Sequence, residues 1–184
     1  MYDEHEAARD SGDDEAEAAL RRSLSPRAVS PGRSRQLLEV RGSEVHGRGV
    51  YARSDIAPGE PVLTFGGMLV AAATVAEDLY AMQVGPALWL VSRPGSEDIE
   101  DFMNHGCEPN LGFVDGSVTL HALRPIRAGE EVLWDYSTSM CEPGWSVPCA
   151  CGAPGCRGRI ASFCDLSPGA QARLRPHALA YLRE

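Results

Sequence analysis

The chain has 184 residues, which is enough for one compact domain with tails but too short for two ordinary domains. Its 17 basic residues are all arginines, and 26 acidic residues outnumber them, so the formal net charge is −9. This charge argues against a protein that holds nucleic acid by broad phosphate neutralisation, and it favours a basic partner. Arginine in place of every lysine indicates a GC-rich coding bias and points to a bacterial source.

The N-terminus predicts no targeting segment, because no cationic flank precedes an apolar stretch there. Nowhere in the sequence does an apolar run approach the ~20 residues that a membrane helix needs. We therefore expect a cytosolic protein without a membrane partner. In that reducing compartment, the six cysteines are expected to be metal ligands or free thiols rather than disulfides.

The first 36 residues differ from the rest of the chain in charge distribution and in apolar content. Residues 1–19 carry eight acids and one arginine, whereas residues 20–36 carry five arginines and no acid. Polar segments with opposite charge blocks bury too little apolar surface to offset their ordering entropy. Residues 1–36 are therefore predicted to be a disordered tail.

From Leu37 onwards, short β-rich runs alternate with glycine and proline turns, which indicates a mostly β, β-rich α+β domain. A helix at the C-terminal end, over residues 165–184, is indicated by Ser167 as the cap and Pro168 in the first helical position. A second helix is predicted around residues 73–82. The predicted strands cover residues 37–40, 61–65, 87–91, 117–123 and 131–136.

Four short blocks carry the candidate chemistry. Residues 46–52 place two glycines one residue apart before an apolar strand, where backbone can approach a ligand closely. Residues 101–110 read Asp-Phe-Met-Asn-His-Gly-Cys-Glu-Pro-Asn, and residues 129–136 read Gly-Glu-Glu-Val-Leu-Trp-Asp-Tyr. In the last block, Cys149, Cys151 and Cys156 supply three thiolates at zinc-ligand spacing, whereas tetrahedral zinc needs a fourth ligand.

In this order the blocks resemble the signature set of SET-domain protein-lysine methyltransferases with a post-SET zinc motif. The resemblance covers roughly residues 37–184. It implies a SET fold of several small sheets over residues 37–141 and a post-SET zinc motif over residues 145–160. It also implies a pseudoknot, in which the strand of Tyr136 passes close to the Asn104 segment.

The activity implied by the resemblance is methyl transfer from S-adenosylmethionine to a lysine amine of a protein substrate. The amine, with a pKa near ~10.4 in water, would lose its proton in a narrow apolar channel. Tyr136 would be the catalytic residue and also contact the cofactor. Trp134 would shape the channel and limit the product to mono- or dimethyl-lysine. The other implied cofactor-binding residues are Gly47, Arg48, Gly49, Asn104 and His105.

The resemblance makes Cys107 the fourth ligand of a structural zinc, beside Cys149, Cys151 and Cys156. Two residues depart from the family pattern. Asp101 replaces the usual arginine, which puts cofactor affinity in doubt, and Gly106 replaces the usual serine. Cys141 and Cys164 have no partner at ligand spacing and are expected to be free thiols.

Two other functions stay open. One is a non-catalytic SET-fold module that binds a cofactor or peptide but has lost turnover through Asp101 and Trp134. A zinc-dependent nucleic-acid binder shares the cysteine cluster, but the sequence lacks clustered basic and aromatic residues along one element. Methylation of the chain's own lysines is excluded, because it has none.

Overall fold

The computed structural model describes residues 29–72, 80–92 and 97–183. Within these ranges short strands predominate, so the predicted mostly β class and the small-sheet architecture are confirmed. The strands are β1 (Leu38–Gly42), β2 (Arg48–Ala52), β3 (Pro61–Thr64), β4 (Met68–Ala71), β5 (Ala81–Gly85), β6 (Leu88–Val91), β7 (Leu111–Phe113), β8 (Thr119–Ala122), β9 (Ser146–Pro148) and β10 (Arg159–Ala161).

Among the residues that the structure describes, all the strand pairs are antiparallel, and they form four small sheets. Two sheets are hairpins, β1–β2 and β9–β10, and the other two have the orders β3-β8-β7 and β4-β6-β5. The core lies where the three-stranded sheets meet the first hairpin. Its most deeply buried side chains are large and apolar because strands such as β7 are covered on both faces; they include Val50, Leu111, Phe113, Leu120 and Val132.

The segment predicted as a strand over residues 131–136 is not a continuous strand. It is extended but runs between two neighbours, and its backbone bonds alternate between them: Val132 N–H donates to Val50 O at 2.8 Å, whereas Leu111 N–H donates to Leu133 O at 3.0 Å. Only isolated bridges result. A 3₁₀ helix begins at Tyr136, capped by the Asp135 side chain. The expected approach of this segment to Asn104 is observed, since Trp134 N–H lies 3.4 Å from Asn104 O.

The prediction of a tail over residues 1–36 is wrong for its last part. Residues Pro31–Leu37 form helix α1, whose first turn is capped by the Ser30 side chain. The helix packs on β3, where the buried Ser34 hydroxyl donates to Val62 O at 3.4 Å. Ser30 followed by Pro31 is a strong signal for the start of a helix. The tail was predicted from the charge pattern, which does not take this signal into account. Residues 1–28 lie outside the described residues.

The C-terminal helix begins as predicted but is shorter. Helix α2 spans Pro168–Leu174 with Ser167 as its cap, and two 3₁₀ helices follow it, Arg175–His177 and Ala180–Leu182. Pro176 has no N–H to continue the α-helical ladder, which accounts for the break. Phe163, Leu174, Ala178 and Leu182 form a second, smaller core here.

The helix predicted over residues 73–82 is contradicted at its end, because Ala81 and Met82 belong to strand β5; residues 73–79 lie outside the described residues. Over the ranges that the structure describes, no helix has the length and apolar character needed to cross a membrane.

The expectation of free thiols at Cys141 and Cys164 is wrong, because the structure joins them in a disulfide with a Cα–Cα distance of 5.5 Å. The segments that carry them run side by side, and Phe163 N–H donates to Met140 O at 2.7 Å. Spacing along the chain gave no sign of this contact, since 23 positions separate the two cysteines.

Candidate active site and metal centre

The turn before β2 carries the two glycines of the first block. Gly47 has φ of +49°, a conformation that other residues adopt rarely. Gly49 is required for a different reason. A Cβ there would lie 2.8 Å from Ser43 Cβ and 2.9 Å from Glu131 Cδ, and closer still to Glu131 Oε1. The space above Gly49 is therefore filled by a side chain of the protein itself.

That side chain, Glu131, is held by three donors. Ser43 Oγ donates to its carboxylate oxygens at 2.8 and 2.9 Å, Tyr51 OH at 3.1 Å and Asn104 Nδ2 at 2.9 Å. Asn104 Nδ2 also lies 3.1 Å from His46 O and 2.9 Å from Arg48 O. The Asn104 amide thus fixes the backbone of the glycine turn.

Asp101, which stands where the resemblance expects arginine, closes a capping box. The Asp98 side chain caps the 3₁₀ helix Ile99–Phe102, and Asp101 Oδ2 accepts from Asp98 N–H at 2.9 Å. Asp101 also accepts a hydrogen bond from Ser92. The guanidinium carbon of Arg48 lies 3.9 Å from the centroid of the Phe102 ring. Arg48 therefore makes a cation–π contact with the 3₁₀ helix that Asp98 caps and to which Asp101 belongs.

Tyr136 lies at the wall of a cavity of about 240 Å³. Its hydroxyl donates to Met103 O at 2.6 Å, and burial raises its pKa to about 12, so it stays neutral at physiological pH. The Trp134 ring packs 5.0 Å from the Tyr136 ring and 5.3 Å from the Phe65 ring, centroid to centroid. The cavity wall is mostly apolar, with Glu100 and Asp101 as its acidic residues.

A second cavity, of about 560 Å³, lies between the first hairpin and the cysteine loop. Its size falls within the ~300–1,000 Å³ that is usual for small-molecule sites. Gly42, Tyr51 and Glu131 line it on one side, and Ala150–Gly152 on the other. Gly47, Arg48, Gly49, Asn104 and His105 are not among the described residues that line either cavity.

The structure brings the predicted metal ligands together. Cys149 Sγ lies 3.8 Å from Cys107 Sγ and 3.7 Å from Cys156 Sγ. Four sulfurs at the usual zinc–sulfur distance of ~2.3 Å stand ~3.8 Å apart at the corners of a tetrahedron. Burial alone would raise the pKa of Cys151, but hydrogen bonds from the backbone of Cys107 and from nearby groups lower it to about 7. The spacing and the donors fit a thiolate-bound zinc.

His105 lies within 4.8 Å of three of these sulfurs and is a further candidate ligand. Its Nδ1, however, accepts a hydrogen bond from Tyr136 N–H at 3.2 Å. Burial lowers the pKa of His105 to about 4, so the ring is neutral and its proton is on Nε2. Nε2 lies 3.3 Å from Cys107 Sγ. We interpret His105 as a donor to this sulfur, which leaves four cysteines as the ligand set.

The sequence-based interpretation missed Arg157 and Asp135. Arg157 Nη1 and Nη2 donate to the two carboxylate oxygens of Asp135 at 2.6 and 2.9 Å. The Asp135 side chain is fully buried and that of Arg157 is 15% exposed. The sequence shows that Arg157 directly follows the predicted ligand Cys156. No local pattern, however, indicates that it pairs with a carboxylate 22 residues earlier.

Comparison with known proteins agrees with this fold. Residues 47–137 match the family model described as SET domain. The chain is 30% identical over 140 residues to human histone-lysine N-methyltransferase 2B, and 34% identical over 144 residues to an H3 lysine-4 specific histone-lysine N-methyltransferase of Cryptococcus neoformans. These alignments cover 67% and 68% of this chain but only 5% and 10% of the relatives.

Solved structures lead to the same family. The crystal structure of KRYPTONITE in complex with mCHG DNA and SAH has 30% sequence identity and a TM-score of 0.56, over 67% of this chain and 29% of that one. A KRYPTONITE complex with mCHH DNA, an H3(1-15) peptide and SAH gives a TM-score of 0.53. This protein therefore contains a SET domain, and its homologues are histone-lysine methyltransferases. The bacterial source and the post-SET assignment stay predictions.

Proposed function

We propose that the protein is an S-adenosylmethionine-dependent protein-lysine N-methyltransferase. The observation that carries this is Tyr136, whose neutral hydroxyl is fixed on Met103 O beside Trp134 at the wall of an apolar cavity. The relatives are histone-lysine methyltransferases by name, and both KRYPTONITE complexes contain SAH, which supports the reaction class. The chain spans 10% or less of the two relatives cited, so the proposals for substrate and partners rest on its own residues.

The reaction asks for positioning more than for acid or base strength. An apolar wall disfavours the ammonium form of an inserted lysine, so the amine enters the transfer neutral, with its lone pair free. The Tyr136 oxygen, oriented by its bond to Met103 O, holds the reacting nitrogen in line. S-adenosylmethionine, when bound, supplies the methyl group and takes the electron pair of the breaking sulfur–carbon bond. The nitrogen gains a carbon and then releases a proton to solvent.

For the cofactor site we retain the glycine turn, Asn104, His105 and Tyr136. The 560 Å³ cavity is large enough for a nucleotide-like ligand, and its wall includes Ala150, Cys151 and Gly152 of the cysteine loop. Asn104 would act there mainly by fixing the turn, because its amide is already bonded to His46 O and Arg48 O. Asp101 cannot provide the positive charge that the family pattern places at its position.

We propose one structural zinc held by Cys107, Cys149, Cys151 and Cys156. Four thiolates leave no open coordination position, so the ion would have a folding role and take no part in transfer. Cys107 follows Asn104 by three residues, whereas the other three ligands belong to the β9–β10 region. The ion would therefore tie the cofactor segment to the C-terminal segment.

The substrate we propose is a lysine in a basic segment of another protein. Glu100 and Asp101 at the cavity and a net charge of −9 favour basic residues beside the target lysine. The bulk of Trp134, packed between Phe65 and Tyr136, favours mono- or dimethylation. A cytosolic location and the absence of a direct nucleic-acid partner stay predictions.

The test is methyl transfer from labelled S-adenosylmethionine to basic lysine-containing peptides, with products weighed by mass spectrometry. We expect Tyr136→Phe to keep cofactor affinity and lose most transfer, because the hydroxyl acts mainly on the transition state. Tyr80→Phe is the matched control, since this half-exposed tyrosine lines the same cavity. Wild-type rates in folded Tyr136→Phe would remove the proposed role, and trimethyl-lysine would contradict the product prediction.

A second candidate, a non-catalytic binding module, is favoured by one feature. Asp101 replaces a cationic residue and is engaged in a helix cap, where it cannot neutralise a cofactor carboxylate. Titration calorimetry on metal-loaded protein, which measures binding, separates the two candidates when it is combined with the methyl-transfer assay, which measures turnover. Binding without turnover across a panel of basic peptides would support the module, whereas turnover on any of them supports the enzyme.

A further inference from the structure

A buried ion pair connects the cysteine loop with the residue next to Tyr136. Arg157 and Asp135 are joined by two parallel hydrogen bonds of 2.6 and 2.9 Å, and the carboxylate is fully buried. The same guanidinium reaches Ser137 Oγ at 3.3 Å. Arg157 thus holds the residues on both sides of Tyr136.

The backbone of Arg157 belongs to the thiolate cluster. Its N–H donates to Cys107 Sγ at 3.4 Å, and the residue directly follows Cys156. Its Nε is buried without a hydrogen-bond partner in the described part of the chain. Nothing but the two terminal nitrogens therefore orients this side chain through hydrogen bonds.

Asp135 passes this constraint to the 3₁₀ helix that begins at Tyr136. Its Oδ1 accepts from Ser137 N–H at 3.1 Å and so caps the helix Tyr136–Thr138. A cap that rotates would move the Tyr136 backbone, and with it the hydroxyl that now reaches Met103 O. Besides the hydrogen bond from Tyr136 N–H to His105 Nδ1, the backbone at Tyr136 is therefore held by Asp135, which in turn is held by a residue of the cysteine loop.

We propose that Arg157 is a positioning residue, which orients Tyr136 through the two-bond fork to Asp135 and couples that orientation to the cysteine cluster. This inference rests on the proposed methyl transfer for its kinetic consequence but not for its structural one. Lysine cannot replace Arg157, because a single ammonium does not reproduce two parallel bonds to one carboxylate.

The experiment compares wild type with Arg157→Lys, Asp135→Asn and the double variant. Arg159→Lys is the matched control, because Arg159 lies two residues away, is exposed and bonds only Ser146 among side chains of the described residues. Each protein is measured for zinc content, melting temperature, S-adenosylmethionine affinity, and kcat and KM on a basic peptide. The amide resonance of Tyr136 is followed in ¹⁵N-labelled protein without substrate.

We expect Arg157→Lys to keep one zinc per chain and wild-type cofactor affinity, to shift the Tyr136 amide resonance, and to lower kcat about 10- to 100-fold with KM little changed. Because the two residues act as one unit, the double variant should be no worse than either single variant. Arg159→Lys should match wild type in every readout.

Three results would overturn the proposal. They are an unshifted Tyr136 resonance in both single variants, a kcat of Arg157→Lys equal to that of wild type, or a loss of transfer in Arg157→Lys that is proportional to its loss of zinc. The last would give Arg157 a purely structural role. Failure of the proposed function is distinguishable, since wild type would then lack transfer while the Tyr136 resonance still reports whether Arg157 orients this residue.

Discussion

Replacing Gly49 with alanine tests the interpretation of the glycine turn. The new Cβ would overlap Glu131 Oε1 and lie 2.8 Å from Ser43 Cβ, so the Glu131 carboxylate must leave its place. Its hydrogen bonds from Ser43, Tyr51 and Asn104 would then be lost or lengthened. Bonds to a charged acceptor contribute about 1.5–3 kcal/mol each, and solvent recovers part of that, so we expect a loss of about 2–4 kcal/mol.

The assay is urea unfolding of wild type, Gly49→Ala and Gly42→Ala. Gly42 is the matched control because it lies in the paired strand β1 with open space at its Cβ position. Gly49→Ala should cost less than half as much in a Glu131→Ala background, where the obstructing carboxylate is gone. An equal cost in both backgrounds would show that Glu131 is not what makes glycine necessary.

Three further predictions concern the N-terminal helix, the disulfide and the cysteine cluster. Deleting residues 1–28 should leave the melting temperature unchanged, whereas extending the deletion through Pro31–Leu37 should lower it, because that helix packs on β3; equal melting temperatures would mean that the helix contributes nothing. Reducing the Cys141–Cys164 disulfide, which closes a loop across 23 positions, should cost about 3 kcal/mol in urea unfolding, with unchanged stability as the contrary result. Cys107→Ser should lose zinc by elemental analysis, and transfer should fall further than stability; a metal-free wild type with full activity would end this idea.

The sequence predicted the mostly β class and the places of β1, β3, β6 and β8, because strand and cap signals are local. The strands at 61–64 and 88–91 and the Ser167 cap lie within one or two residues of their predicted places. One of the errors has a long-range cause. Residues 131–136 look like a strand but pair on both sides with segments distant in sequence, which no local pattern reports.

The candidate site was predicted in composition but not in its internal contacts. The glycine turn, Asn104 and the four cysteines follow from ordered motifs. Short motifs do not reveal that Glu131 fills the space above Gly49, or that a disulfide joins Cys141 and Cys164. Both contacts depend on how distant segments pack, and packing is decided by the whole chain.

The threading of residues 131–136 between two earlier segments has a consequence for how the protein is made. Glu131 bonds Ser43 across 88 positions and Tyr51 across 80, and Arg157 must then reach back to Asp135. Contacts of such long range make folding slow, because the chain loses the entropy of closing large loops before the stabilising contacts form. A nascent chain that ends before residue 131 lacks the Glu131 carboxylate, to which Ser43, Tyr51 and Asn104 all donate hydrogen bonds. The site therefore assembles late in synthesis, and most of the chain must have left the ribosome before any of its chemistry is possible.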